Sequence, residues 1–131
     1  MTQVTEQELQ EKAVAPRVTK AHIESLIVSA NYFTAGDGYV GAVTSSEAFN
    51  ALPEDQRFVD VPPQLDLLTF CVIILKNGFT VTGESACASP ENFDPEIGRK
   101  IAYDNAYNKI WMLEGYLLKE KLHDAELDKQ F

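Results

Sequence analysis

The clearest pattern with chemical potential lies on one flank of a segment with helical periodicity. Arg99, Tyr103 and Tyr107 are four residues apart, so a helix would place them on one side. Tyrosine rings beside a guanidinium suit an adenine base and its phosphate. The alternative interpretation is that both tyrosines pack against a neighbouring helix with their hydroxyls at the rim. With two polar residues that precede the helix, the candidate ligand-binding set is Ser89, Asn92, Arg99, Lys100, Tyr103 and Tyr107.

Catalytic and metal chemistry has little support in the sequence. Cys87 could be paired with His22 or His123 as nucleophile and base, but no local signature surrounds the cysteine and no third group orients the pair. Acids cluster around the start of the helical segment, where the helix dipole favours them in any case, and no calcium-loop spacing is present. Glycine-rich phosphate loops are also absent from the sequence. We therefore predict that the protein is not an enzyme and has no cofactor or metal site.

A β-hairpin is predicted immediately before that helix. Residues 67–75 form a short apolar run rich in β-branched types, which favours a strand. Asn77-Gly78 is the strongest short signal for a two-residue type I′ turn, and this turn would pair Ile74 with Val81. The opposite face is apolar on the first strand and polar on the second, so the first strand should be the more central. The predicted core face consists of Phe70, Val72, Ile74, Phe79 and Val81.

The long helix is predicted to begin at Asp94, because an N-cap residue is followed there by proline. Ser89-Pro90 predicts a single helical turn before it. Apolar residues at steps of three and four then form one stripe that should face the sheet. Its members are Ala102, Ala106, Ile110, Leu113 and Leu117.

The same helix carries more apolar surface than one hairpin can cover. Ile97, Ile101, Met112 and Leu118 lie outside the stripe, with Trp111 near them. Either the N-terminal helix or a second subunit must cover them. We therefore expect a homo-oligomer, with Trp111 and Leu118 as candidate self-association residues.

The N-terminal half is predicted to contain one firm helix. Thr19 should cap a helix that runs to about Asn31, followed by a turn at 35–38 and a short strand at 39–44. Ser45 or Ser46 could cap a brief helix through Leu52, and residues 53–66 look irregular. The predicted fold class is α+β: an antiparallel β-hairpin or small sheet packed against an N-terminal helix and one long C-terminal helix. The predicted organisation is a flexible tail at 1–16, a single domain at 17–123 and a second tail at 124–131.

Composition excludes several classes of function. Eleven basic and twenty acidic residues give a net charge of −9, which disfavours direct nucleic-acid binding. We expect no membrane segment, because no apolar run approaches the roughly 20 residues that a spanning helix needs. Cys71 and Cys87 do not form a disulfide framework, and we expect both to be reduced in a cytosol.

Two stretches resemble a known family. NGFTVTGESACASPENFDPEIGRKIAYDNAYNKIWMLEGYLL, residues 77–118, resembles the C-terminal signature of the gene-product-forty-nine/gene-sixty-six family of small tailed-bacteriophage proteins. VTKAHIESLIVSANYFTAGDG, residues 18–38, resembles that family's N-terminal segment, and together the stretches cover about half of the chain. The resemblance implies a phage or prophage origin and a location in the cytoplasm of the infected bacterial host. The family brings no established catalytic residues, so none are transferred.

Three hypotheses for the function follow. The first is a non-catalytic counter-defence protein that oligomerises and sequesters a host immune nucleotide signal, such as a cyclic nucleotide or an ADP-ribose-type ligand, by analogy of architecture and setting. The second is an acidic inhibitor that binds a basic surface of a host protein, which the charge of −9 favours. The third is a phage accessory protein with no small-molecule ligand.

Overall fold

The computed structural model describes residues 4–130 and has the predicted α+β class. A three-stranded antiparallel sheet packs against one long helix, and shorter helices precede and follow the first strand. The elements are α1 (Glu6–Lys12), α2 (Lys20–Leu26), β1 (Ile27–Thr34), α3 (Ala35–Thr44), α4 (Glu47–Asn50), β2 (Leu68–Leu75), β3 (Thr80–Ala86) and α5 (Pro95–Asp128), with 3₁₀ turns at Glu54–Gln56, Pro63–Leu67 and Pro90–Asn92. No helix within residues 4–130 is long and apolar enough to cross a membrane.

The sheet has the order β1-β2-β3, so β2 is the central strand, as predicted. Its neighbours satisfy the backbone of β2 on both sides, with Tyr32 opposite Cys71 and Gly83 on the other flank. One face of the sheet lies against α5. On the other face Phe33 and Phe70 pair, with ring centroids 5.5 Å apart, and Ile74 remains exposed.

The predicted hairpin turn is wrong by one residue. Ile73, not Ile74, lies opposite Val81, and the Leu75 amide donates to the Phe79 carbonyl at 2.9 Å. The connection therefore has three residues, and Gly78 alone in residues 4–130 has a positive φ, 88°. The Asn77 side chain accepts a hydrogen bond from the Phe79 amide at 2.9 Å. Asn77 thus supports the turn without the left-handed backbone that a type I′ turn needs.

This shift reverses the predicted faces of β2. Side chains alternate along a strand, so a one-residue change of register moves all of them to the other side of the sheet. Of the predicted core set, Val81 is buried, whereas Phe70, Val72 and Ile74 lie on the face away from α5 and Phe79 is 56 % exposed. The residues of the sheet that are buried on the α5 face are Thr69, Cys71, Ile73, Leu75, Val81 and Gly83.

The N-terminal helix was predicted too long. Thr19 caps α2 as expected, accepting from the His22 amide at 3.1 Å, and Ile23 is fully buried. The helix ends at Leu26, and the next eight residues form β1 instead of the helix predicted to reach Asn31. The physical reason is that β-branched and aromatic side chains favour a strand here, and pairing with β2 satisfies backbone groups of both strands.

Residues 35–44 form one helix, so the predicted turn and short strand are wrong. Thr34 and Asp37 make a reciprocal capping box: the Asp37 amide donates to Thr34 Oγ1 at 3.1 Å, and the Thr34 amide donates to Asp37 Oδ2 at 2.9 Å. Two satisfied backbone donors outweigh the glycines that suggested a turn. Ser46, one of the two predicted caps, caps α4, but this helix ends at Asn50 and not at Leu52. Residues 53–66 contain only 3₁₀ turns among irregular backbone.

Helix α5 begins where predicted and is unbroken over 34 residues. Asp94 Oδ1 accepts from the amides of Glu96 and Ile97 at 2.9 and 3.3 Å. The apolar stripe is confirmed at Ala102, Ala106 and Ile110, which are fully buried against the sheet.

The stripe prediction fails farther along α5. Leu113 and Leu117 are 40 % and 43 % exposed. Leu113 lies beside Phe79 next to the hairpin turn, so α5 leaves the sheet there and extends past it. The helix continues to Asp128, and α1 buries none of its residues. Residues 1–3 and 131 of the predicted tails lie outside the described residues, and the division at 16/17 and 123/124 stays a prediction.

Candidate functional site

An open cleft of about 480 Å³ lies between β1 and the first three turns of α5. Tyr32 enters it from the strand because it lies opposite buried Cys71, on the sheet face that α5 covers. Helix α5 contributes residues from the exposed flank next to its buried small residues. These lining residues recur at four-residue spacing along the helix. The lining consists of Tyr32, Glu96, Arg99, Lys100, Tyr103 and Asp104.

The charges of the cleft sum to zero, but not all of them form ion pairs. Lys100 Nζ lies 3.4 Å from Glu96 Oε1, and both side chains are largely exposed. Arg99 has no ion-pair partner among residues 4–130. Its guanidinium is therefore the cation of the cleft that is most available to an anionic group.

Both cleft tyrosines are held in the neutral form. Burial raises the pKa of Tyr32, and the nearby Cys71 thiol raises it further, whereas Arg99 acts in the opposite direction. Burial also raises the pKa of Tyr103, with the charge of Glu24 as the next cause. Each hydroxyl thus keeps its proton at neutral pH and can donate a hydrogen bond to a ligand.

The structure brings together half of the predicted ligand-binding set. Arg99, Lys100 and Tyr103 line the same cleft. Tyr107 lies next to Tyr103, with ring centroids 5.9 Å apart, and its buried hydroxyl has no hydrogen-bond partner within residues 4–130.

The other two residues of the set lie elsewhere. Ser89 and Asn92 belong to the turn before α5, where the Asn92 amide donates to the Ser89 carbonyl at 3.1 Å, and neither lines the cleft. Sequence reasoning missed Tyr32, because residues 27–31 were assigned to a helix. The β-branched and aromatic residues from Ile27 to Thr34 are the signal that could have revealed the strand.

The predicted self-association residues pack within their own protomer more than expected. Trp111 is half-buried and packs against the core. Leu118 is half-buried and lines a cavity of about 220 Å³ with Val18 and His22. Their role in self-association stays a prediction.

A different part of α5 is more exposed. Met112 is 79 % exposed and lines an apolar groove of about 530 Å³ together with Phe79 and Leu113. This groove runs between the hairpin end of edge strand β3 and α5.

Two of the groups considered for catalysis have other hydrogen-bond partners. Cys87 Sγ donates to the Ser89 carbonyl at 3.2 Å, whereas His22 Nε2 lies 2.7 Å from Glu114 Oε1 on α5. Burial raises the pKa of the Cys71 thiol, which keeps it protonated and unreactive. In the described part of the chain no group of three or more His, Cys, Asp or Glu residues could hold a metal ion.

Comparison with known proteins gives one assignment. No curated protein and no solved structure matches the chain. A family model matches residues 18–122, which span β1–β3, α2–α4 and most of α5, and therefore include every residue of the cleft. By this match the chain belongs to the phage protein (N4 Gp49/phage Sf6 gene 66) family.

Proposed function

We propose that this phage protein binds a nucleotide in the cleft between β1 and α5 and sequesters it without chemical change. The observation that carries the proposal is the juxtaposition of Arg99 with Tyr32 and Tyr103 in one cavity of about 480 Å³. This volume is within the range of about 300–1,000 Å³ that small-molecule sites occupy. Two neutral phenols can stack on a base or bind a ribose, and the guanidinium can bind phosphate in two-pronged geometry.

Sequestration rather than turnover fits the chemistry of the cleft. Its titratable groups are two neutral phenols, two cations and two exposed carboxylates. None is a nucleophile adjacent to a base, the arrangement that hydrolysis through a covalent intermediate needs. In the cytoplasm of an infected bacterium, a phage protein that removes a nucleotide from solution would suppress an immune signal carried by that nucleotide.

The proposal is tested by thermal unfolding of the full chain with a panel of nucleotides. The panel includes cyclic ADP-ribose, ADP-ribose, cyclic dinucleotides and ATP. A ligand present at a hundred times its dissociation constant should stabilise the fold by about 2.7 kcal/mol. The bound nucleotide should then be recovered unchanged by mass spectrometry after denaturation. A nucleotide returned in modified form would contradict sequestration, and a panel without any stabilising member would contradict the site.

Variants locate the binding in the cleft. Arg99→Ala should weaken binding by roughly 10- to 150-fold, since a hydrogen bond to a charged group contributes about 1.5–3 kcal/mol. Arg99→Lys should restore only part of it, because an ammonium lacks the forked geometry. Lys119→Ala, which removes the same charge from an exposed position of α5 away from the cleft, is the control. Equal losses in Arg99→Ala and Lys119→Ala would assign the effect to net charge.

We also propose that the protein self-associates through the apolar surface of α5 that its own sheet does not cover. The groove with Phe79, Met112 and Leu113 and the exposed Tyr116 beyond it support this proposal. An oligomer would bury these side chains, and the burial would stabilise it by roughly 25 cal/mol for each Å² of apolar surface removed from water.

The net charge of −9 supports a second candidate function, an inhibitor that binds a basic surface of a host protein. Exposed charges attract over a Debye length of about 8 Å at physiological ionic strength, so such binding should weaken strongly with salt. Capture of one basic host protein that is released by moderate salt, in the absence of any nucleotide effect, would favour this function over sequestration.

A further inference from the structure

Resting on the proposed nucleotide site, we infer that the carboxylates around the cleft make it selective against nucleoside di- and triphosphates. The ligands that it accepts are nucleotides without a terminal phosphate. A phosphodiester carries a single negative charge, whereas a terminal phosphate monoester carries about −1.5 to −2 at pH 7. The chain's own carboxylates occupy or oppose the groups that would otherwise hold a terminal phosphate.

The start of α5 is the first of these groups. A helix N-terminus normally binds phosphate through its free backbone amides. Here Asp94 Oδ1 accepts from the amides of Glu96 and Ile97 at 2.9 and 3.3 Å. The Gly98 amide donates to the Asp94 carbonyl at 2.9 Å, and Pro95 has no N–H. A phosphate at this end of the cleft would therefore find no free amide and would meet a carboxylate.

The cations of the cleft are the second group, and one of them is already paired. Lys100 Nζ lies 3.4 Å from Glu96 Oε1, so its charge is compensated within the chain. Arg99 forms no ion pair within residues 4–130. Its forked guanidinium matches the oxygens of one phosphate group. The cleft thus offers one free cation, and a chain of phosphates needs several.

Carboxylates in both cavities that Arg99 lines oppose further negative charge. Asp104 lines the cleft and has no ion-pair partner among the described residues 4–130. Burial is the main cause of the raised pKa of Tyr103, and the charge of Asp104 adds to it, so this charge acts at the cleft wall. Asp37 lines the adjoining cavity of about 230 Å³, which shares Arg99 with the cleft. Like charges placed in this way reject a wrong ligand.

Such selectivity is what sequestration of a signal requires. Nucleoside triphosphates are abundant in a growing cell, whereas a signal nucleotide is scarce. A cleft that bound triphosphates would be filled before the signal appeared. Rejection of terminal phosphates keeps the cleft free for its ligand.

Calorimetric titration of the full chain tests this inference. The probes are cyclic AMP, AMP, ADP, ATP and the cyclic members of the nucleotide panel, all without Mg²⁺ so that ATP keeps its full charge. The tightest-binding probe without a terminal phosphate should bind at least about ten-fold more tightly than ATP, and affinity should not rise from AMP to ADP to ATP. If ATP comes within ten-fold of that probe, or affinity rises along the series, the inference fails and the nucleotide site stands. If no probe and no member of the panel binds, both fail.

A double variant gives the sharper readout. Glu96→Gln with Asp104→Asn removes two charges but keeps the shape of both side chains, and it should raise the affinity for ATP about three-fold or more relative to that for the probe without a terminal phosphate. The control is Glu126→Gln with Asp124→Asn, which removes the same charge near the far end of α5, where Glu126 also pairs with a lysine, Lys129. The control should keep the wild-type ratio of the two affinities within two-fold.

Both affinities in this ratio are measured on one protein, so a partial loss of folding does not change it. An unchanged ratio in the cleft variant, or an equal change in the control, would overturn the inference.

Discussion

At Gly83 helix α5 approaches the sheet so closely that no side chain fits between them. A Cβ built on Gly83 would overlap the backbone of α5 at Ala102 and Ala106. On the helix side, small residues at Gly98, Ala102 and Ala106 permit this approach. Arg99 and Tyr103 each follow one of these small residues, so the close packing also sets their distance from Tyr32.

We expect Gly83→Ala to destabilise the fold by about 1–3 kcal/mol or more, because the overlapping atoms belong to the helix backbone and cannot turn away. The measurement is chemical unfolding followed by circular dichroism. Gly115→Ala is the control: Gly115 is an exposed position within α5 with open space around it. It should raise stability by roughly 0.5–1 kcal/mol, since alanine favours a helix. Equal effects of both substitutions would contradict the close approach.

Glu96 competes with any anionic ligand for Lys100. We expect Glu96→Gln to release Lys100 and to strengthen nucleotide binding by up to about five-fold, the equivalent of an exposed ion pair of at most about 1 kcal/mol. Calorimetric titration of each variant with the nucleotide measures the dissociation constant. Glu126→Gln is matched in charge, because Glu126 pairs with Lys129 at 3.9 Å near the far end of the same helix. A similar gain in both variants would indicate a general charge effect.

Among the elements, α5 depends on how it begins. Asp94 accepts hydrogen bonds from two amides of the first turn. Its carboxylate also interacts favourably with the positive end of the helix dipole. This turn presents Glu96 and Arg99 to the cleft, so a frayed start would disorder the candidate cleft as well.

Asp94→Ala should therefore cost about 0.5–2 kcal/mol of unfolding free energy, whereas Asp94→Asn should cost far less because the amide oxygen still caps. Thermal and urea unfolding give the values, and hydrogen exchange of the Glu96 and Ile97 amides reports on the first turn. The same test on α1 provides a contrast. Thr5→Ala removes a cap from a helix that buries nothing, and it should leave global unfolding unchanged.

At the scale of the whole molecule, α5 is much longer than the sheet that it covers. A helix of 34 residues is roughly 50 Å long, whereas a strand of eight residues spans about 26 Å. The excess lies beyond the hairpin turn, where Leu113, Tyr116 and Leu117 are exposed. This is the surface that a second copy would cover.

We expect Met112→Glu to convert the proposed oligomer into a folded monomer. Met112 is 79 % exposed, so the substitution should change protomer stability by less than about 0.5 kcal/mol, while a charge buried in an apolar interface is costly. Light scattering after size exclusion measures the mass, and circular dichroism checks the fold. Met112→Leu should remain oligomeric. In contrast, Trp111→Glu should unfold the protomer, because Trp111 packs against its core; an unchanged mass for Met112→Glu would remove this surface from consideration.

The molecule should lose stability in alkaline solution. Burial raises the pKa of Tyr32, Tyr103 and Tyr107 above the ordinary 10.0, and that of Cys71 above the ordinary 9.0. The folded state then holds these protons more tightly than the unfolded chain. The free energy of unfolding should be insensitive to these groups at neutral pH and should fall as the pH rises past 9 and 10.

Urea unfolding between pH 7.5 and 10.5 measures this loss. The net charge of −9 also opposes folding as further groups ionise, so the decline alone does not identify the tyrosines. Tyr32→Phe and Tyr103→Phe separate the two causes, because phenylalanine does not titrate and should flatten the decline. A slope that both variants leave unchanged would assign the effect to net charge.

Features set by neighbours in the chain were predictable from sequence. The cap at Asp94, the turn after Ser89 and the buried residues at Ala102, Ala106 and Ile110 follow from local hydrogen bonding and helical periodicity. The same periodicity grouped Arg99, Lys100 and Tyr103 on one flank of α5. Half of the residues that line the candidate cleft could therefore be predicted from the sequence.

Features set by distant partners were not predictable in this way. The hairpin register depends on one residue of loop length, and this difference alone exchanged the buried and open faces of β2. Residues 27–34 could satisfy their backbone either in a helix or beside β2, and only the sheet decides for the strand. Through that pairing Tyr32 lies in the same cleft as Arg99. The chain by itself determined the helix that carries the cations, and the tertiary structure decided what faces them, because a helix forms its backbone hydrogen bonds locally, whereas a strand forms its own with a distant segment.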